Sequence, residues 1–169
     1  MKIYIGADHA GFELKETLKK FLTGLGHQVK DFGANKYDPE DDYPDFVIPA
    51  AQAVAEGSEK NRGTTQEVRG IIIGFGGQGE AIAANRVKGV RAIVYYGEPV
   101  AVSEVGRKRG DKLKNALVLS REDNDANVLA LAAGFVSEEE AKKAAELWLN
   151  APFSGVARHK RRIEKIDKF

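Results

Sequence analysis

Residues 68–86 read VRGIIIGFGGQGEAIAANR. A β-branched run enters a loop with four glycines in six positions, from Gly74 to Gly79, and leaves as an alanine-rich run. Continuous β-branched residues bounded by glycine fit a strand buried on both faces, and the alanines fit a helix. Such a strand needs helices over both faces of its sheet, so this one stretch commits the chain to layered α/β architecture.

The flanking sequence carries the same alternation. Strands are expected at 2–6, 27–32, 68–73, 89–96 and 128–132. Helices are expected at 12–25, 46–56, 80–86, 98–109, 137–149 and 157–169. The helix at 137–149 opens on Ser137 with Glu140 three residues later, the pattern of a capping box. Residues 35–45 hold Pro39 and Pro44 and read as a loop, and 57–69 read as an exposed polar connection. There is no internal repeat or linker. The expectation is a single α/β domain over 1–169: a three-layer sandwich around a five-stranded, mainly parallel sheet, with a basic helix at about 157–169. Ligands of such sheets bind beyond the carboxyl ends of the strands. Asp8 and His9 follow the first strand, and the glycine loop follows the third.

Composition removes several function classes. Cysteine is absent, which excludes disulfides, thiolate nucleophiles and Cys-ligated metals. The three histidines, His9, His27 and His159, have no metal-ligand spacing, so no metal is expected. A net charge of +1 gives no global attraction to nucleic acid or to a membrane surface. No apolar run matches a secretory leader or a membrane span, so a cytoplasmic location is expected.

The loop Gly74-Phe-Gly76-Gly77-Gln-Gly79 admits two readings. It matches G-x-G-x-x-G between a strand and a helix, with Glu98 placed as a ribose-binding acid, and so reads as a dinucleotide site. Against this, Glu80 puts an acid where the pyrophosphate would lie. At a few ångströms, like charges cost on the order of 1–4 kcal/mol. In the second reading, the amides of Gly76, Gly77 and Gly79 cradle an oxyanion, and Glu80 removes a carbon-bound proton beside a carbonyl. The residues alone also allow Glu80 to be a plain first-turn acid favoured by the helix dipole.

Read together, MKIYIGADHAGFELK, DDYPDF, GFGGQGEAIAANRVKGVRA, DNDANVLALA and PFSGVARHKRRIEKI resemble the type B ribose-5-phosphate isomerases, a group that includes galactose-6-phosphate isomerase subunits. The similarity runs in order along nearly the whole chain. It implies a Rossmann-like fold and aldose–ketose isomerisation of sugar phosphates through a cis-enediolate, without metal or cofactor. It also implies a homodimer, in some members a tetramer, with active sites at the subunit interface. The most direct implication is ribose 5-phosphate to ribulose 5-phosphate, within the pentose phosphate pathway. A hexose or tetrose phosphate, or a weakly active sugar-phosphate-binding paralogue, remain alternatives.

By that resemblance, one branch of the family carries a base cysteine at the position of Gly74, and the other a base glutamate at the position of Glu80. Asp8 matches a residue handling the sugar ring, His9 a phosphate-side ligand, and Tyr43 a tyrosine lining the site. Asn124 matches an enediolate-stabilising asparagine, and Arg158 and Arg162 match phosphate-gripping arginines. Three positions depart. Asp123 replaces a histidine that assists ring opening, and an ordinary aspartate (pKa about 3.9) is a poorer neutral-pH acid than histidine (about 6.5). Gly134 replaces a phosphate-contacting arginine, and Gly76 replaces a hydroxyl residue. Arg86, Arg91, Arg107, Lys108 and Arg109 are candidates to compensate. Segments 57–69 and 95–119 are longer than is usual for the group.

Overall fold

The structure is a computed structural model, and it describes residues 1–61, 66–98 and 115–168. Five strands form one sheet in the order β2-β1-β3-β5-β4, and every pairing is parallel. They are β1 (Lys2–Ala7), β2 (Gln28–Asp31), β3 (Val68–Gly74), β4 (Ala92–Tyr95) and β5 (Val128–Ala132). The helices are α1 (Phe12–Gly24), α2 (Pro44–Lys60), α3 (Gln78–Ala84), α4 (Ala116–Asn124), α5 (Glu138–Asn150) and α6 (Ala157–Ile166). The expected layering is present, and the sheet is wholly rather than mainly parallel.

Alternation along the central strands divides the core in two. Ile71 and Ile73 of β3 and Leu129 and Leu131 of β5 pack with Leu18 and Leu22 of α1, Leu117 of α4 and Trp148 of α5. Ile72, Val128 and Ala130 face the other way, onto Val47, Ala50 and Val54 of α2 and Ala81 and Ala84 of α3. All seven residues of β3 are buried, as its β-branched run requires.

Some elements differ from expectation. α2 continues through Lys60 and takes in the start of the expected polar connection. Gly57 permits this, because a Cβ there would lie 3.1 Å from Val68. β4 is shorter than expected, since the chain from 85 to 90 turns before pairing begins at Ala92. α4 was not expected at all. Its buried face is Leu117, Ser120 and Arg121, so polar side chains hold the positions where apolar periodicity would be sought. Those groups are satisfied internally. Ser120 Oγ donates to Leu117 O at 2.6 Å and lies 3.2 Å from Trp148 Nε1, while Arg121 donates to Asp125 at 2.8 Å and to Ala126 O. The helix expected at 98–109 falls almost wholly outside the described residues.

Ser137 caps α5 by accepting from Glu140 N at 3.2 Å. Glu140 does not complete the box. Its Oε1 accepts from Tyr95 Oη and Glu98 N instead, tying α5 to the end of β4. Pairing of Ala7 with Ile73 and of Gly74 with Ala132 brings the ends of β1, β3 and β5 to one carboxyl edge.

Candidate active site

Asp8 is the first residue beyond β1. It caps a short 3-10 turn at His9–Gly11, its Oδ1 accepting from Ala10 N at 3.1 Å and Gly11 N at 3.2 Å. The turn crosses tightly over β3, where a Cβ on Gly11 would stand 2.5 Å from Ile73 O. Asp8 is 7% exposed, and burial raises its pKa, while its amide bonds and His9 lower it in part.

The glycine loop sets Glu80 beside Asp8. Gly77 has φ +70°, a left-handed turn that starts α3 and aims its first residues back over the strand end. Glu80 is 5% exposed. A Cβ added at Gly74 would lie 1.7 Å from Glu80 Oε1 and 2.3 Å from its Cδ. The Glu80 carboxylate therefore occupies the space that a side chain at position 74 would need. Burial raises the Glu80 pKa, the Asp8 charge raises it further, and amide contacts at Glu80 and Gly77 lower it in part. A buried carboxylate at this helix start would repel a pyrophosphate, which counts against the dinucleotide reading. Gly79 abuts the Tyr43 ring, with a Cβ there 2.9 Å from Tyr43 Cζ, so tyrosine and loop form one wall. Gly76 has open space around it.

His9 stands beside this group. Its Nδ1 lies 2.7 Å from Asp41 Oδ1, and its backbone N–H donates to the same oxygen at 3.0 Å. The hydrogen bond to Asp41 raises the imidazole pKa, against a smaller desolvation effect. Asp41 was not anticipated, because nothing in DPEDDYP separates it from its acidic neighbours.

The remaining expected residues lie at the opposite, amino edge. Asp123 and Asn124 end α4, just before β5 begins at Val128. Arg91, which precedes β4, donates to Asn124 O and Asp125 O at 3.1 Å each and also pairs with Asp125 and Asp167. It is thus a clamp at this edge, away from Glu80 of the same copy. His159 Nδ1 lies 2.9 Å from Asp123 O, and its Nε2 accepts from Arg158 Nε at 2.7 Å. Arg158 and Arg162 are exposed on α6. His159 is 2% exposed, and its role was hidden in the basic run RHKRR. One copy therefore gathers Asp8, His9, Tyr43, Gly76, Gly77, Gly79 and Glu80 at the carboxyl edge. It holds Asp123, Asn124, Arg158 and Arg162 about a strand length away, roughly 15–20 Å.

At Gly134, a Cβ would stand 2.5 Å from the Phe75 ring. Phe75 and Tyr96 each contact Phe135, at ring-centroid distances of 5.8 and 5.9 Å, and form an exposed aromatic ridge beside the glycine loop. Arg107, Lys108 and Arg109 lie outside the described residues.

The profile of the ribose/galactose isomerase family matches residues 3–108 and 113–166. The chain belongs to that family. Among ribose/galactose isomerase relatives, ribose-5-phosphate isomerase B of Mycobacterium tuberculosis is 34% identical over 170 aligned positions, covering 100% of this chain and 90% of that protein. A probable ribose-5-phosphate isomerase B of Mycoplasma genitalium is 36% identical over 99% of this chain and 94% of that protein. The ribose-5-phosphate isomerase B structure from Clostridium thermocellum superposes with a TM-score of 0.79 at 38% identity, covering 99% of this chain and 96% of that one. The Mycoplasma genitalium ribose-5-phosphate isomerase B structure, which has bound ribulose-5-phosphate, gives 0.77 at 36% identity over 99% and 94%.

Proposed function

We propose that the chain interconverts ribose 5-phosphate and ribulose 5-phosphate through a cis-enediolate, with Glu80 as the proton-transfer base. The observation that carries this is the buried Glu80 carboxylate lying directly over Gly74 at the carboxyl edge of the sheet. Glu80 takes the C2 proton of the open-chain aldose and returns it to C1. The amides of Gly76, Gly77 and Gly79 face the negative charge that develops on the substrate oxygens. Burial keeps Glu80 basic enough for the task and excludes competing water.

The phosphate and the distal hydroxyls need the second group of residues. We infer a homodimer in which the carboxyl edge of one copy meets the amino edge of its partner. Arg158 and Arg162 then grip the phosphate, and Asn124 and Asp123 reach the enediolate and the ring. The exposed Phe75–Phe135–Tyr96 ridge flanks the glycine loop and suits burial at such an interface. A second reading, a sugar phosphate of another length, draws on Gly134, where the Phe75 ring fills the space beside the backbone. No described helix is long and apolar enough to cross a membrane, and a cytoplasmic metabolic role accords with the reading.

The test is NMR-monitored isomerisation of ribose 5-phosphate beside tetrose and hexose phosphates, with wild type and Glu80→Gln in parallel. The expected result is turnover of ribose 5-phosphate by wild type and a loss of about 10³-fold in the variant. Equal turnover by both proteins removes Glu80 as the base.

A further inference from the structure

Among the residues of the basic helix α6, only His159 is buried. A buried imidazole needs a partner for each ring nitrogen, because an unpaired one loses its water for nothing. Both nitrogens have one. Nε2 lies 2.7 Å from Arg158 Nε, and Nδ1 lies 2.9 Å from Asp123 O and 3.3 Å from Asp123 Oδ1. These contacts fix where the ring carries its proton. A guanidinium is always charged and its Nε–H can only donate, so His159 Nε2 is the bare, accepting nitrogen. The ring proton is then on Nδ1 and is donated to the Asp123 carbonyl.

Each end of this bridge bears on a residue of the site. Arg158 is exposed, yet its Nε is held by a buried ring. The two Nη groups are left as a fork for a pair of anion oxygens. Ordering a free arginine on binding costs rotamer entropy, and the bond to His159 meets part of that cost beforehand. At the other end, a helix leaves its last carbonyls without partners of its own. In α4, Glu122 O accepts from Ser154 N at 3.0 Å, Asp123 O from His159, and Asn124 O from Arg91 Nε at 3.1 Å. The chain leading into α6 is thereby registered on the turn that carries Asp123 and Asn124.

We propose that His159 is a positioning residue for phosphate binding: a neutral imidazole strung from the Asp123 carbonyl to Arg158 Nε, it aims the Arg158 fork at the substrate phosphate and fixes its distance from Asp123 and Asn124. This role rests on the isomerase reading and deepens it. His159 touches no substrate and acts only through Arg158.

Two amide substitutions separate the two ring nitrogens. Asparagine sets an N–H near the place of Nδ1 and keeps the link to Asp123, but it leaves Arg158 Nε without its acceptor. Glutamine sets an oxygen near the place of Nε2 and keeps the link to Arg158. Inorganic phosphate is the probe, titrated by NMR and used as a competitive inhibitor of ribose 5-phosphate turnover. In His159→Asn, the phosphate dissociation constant and the KM for ribose 5-phosphate are expected to rise about 10-fold, while kcat stays within about threefold of wild type. In His159→Gln, the phosphate dissociation constant stays within about threefold of wild type. Arg158→Ala weakens phosphate binding by itself, and adding His159→Asn weakens it no further, since one residue acts through the other. A purely structural His159 gives another pattern: both substitutions lower Tm and weaken phosphate binding alike, with or without Arg158. In the wild type, NMR of the ring nitrogens is expected to find the proton on Nδ1 and a bare Nε2. Unchanged phosphate affinity in His159→Asn, equal losses in the two variants, a proton on Nε2, or a wild type that binds no phosphate overturns the positioning role. Wild type that binds phosphate but does not turn over ribose 5-phosphate overturns the isomerase reading instead, and the phosphate titrations still decide the role of His159.

Discussion

A methyl group at position 74 would stand inside the Glu80 carboxylate, so two residues six apart in sequence compete for one volume. Gly74→Ala is expected to push Glu80 off its strand end and to lower kcat by about 10²-fold with little change in KM; steady-state kinetics check it. Glu80 also links activity to stability with a definite sign. Its folded pKa is raised, mainly by burial, so the fold favours its protonated form. That contribution is fully present below the ordinary carboxylate pKa and is lost as pH rises through the raised value. At neutral pH the ionised carboxylate therefore costs stability. Glu80→Gln should melt higher than wild type near pH 7, with the difference shrinking toward pH 4, as calorimetry across pH would record. The place of Glu80 at the strand end was legible from the loop, because an acid directly after a glycine cradle needs a reason. Asp41 and His159 were not legible, since an aspartate among acids and a histidine among lysines and arginines carry no signal until folding selects their partners.

At the scale of elements, hydrophobic spacing found the strands and most helices, and it failed where the buried face is polar. α4 is the example, with Ser120 and Arg121 turned inward and paired to carbonyls rather than to apolar neighbours. The end of α5 is held in the same way. The buried Arg69 of β3 donates to Trp148 O at 2.8 Å, Leu149 O at 2.7 Å and Ala151 O at 3.3 Å. Burial, then the nearby Arg121 charge, lower its pKa to about 10, which still leaves it charged at neutral pH. Arg69→Met removes the donor from several helix-terminal carbonyls at once. The expected cost is about 3 kcal/mol, seen as a drop of roughly 6–12 °C in Tm for a chain of this size. The packing of the α5 end against β3 gives this buried arginine its partners.

At the scale of the molecule, the three-layer arrangement could be read from the alternation of strands and helices, but the edge of the sheet that each expected site residue reaches could not. Motif order along the chain says nothing about which edge of a sheet a residue reaches, and α4 and α6 bring their polar ends to the amino edge. A dimer with shared sites makes a specific claim about mixtures. Glu80→Gln and the double variant Arg158→Ala/Arg162→Ala are each expected to be inactive alone. Mixed and reassociated in equal amounts, they should recover about a quarter of wild-type activity, since half of random dimers are mixed and each has one intact site. No recovery, with mixed dimers confirmed by native mass spectrometry, places both groups of residues in the service of one copy. The opposite edges also bear on how such a catalyst behaves when it is scarce. If neither edge suffices, an isolated copy is half of an enzyme, and below the concentration at which copies associate, the rate per volume falls with the square of the protein present.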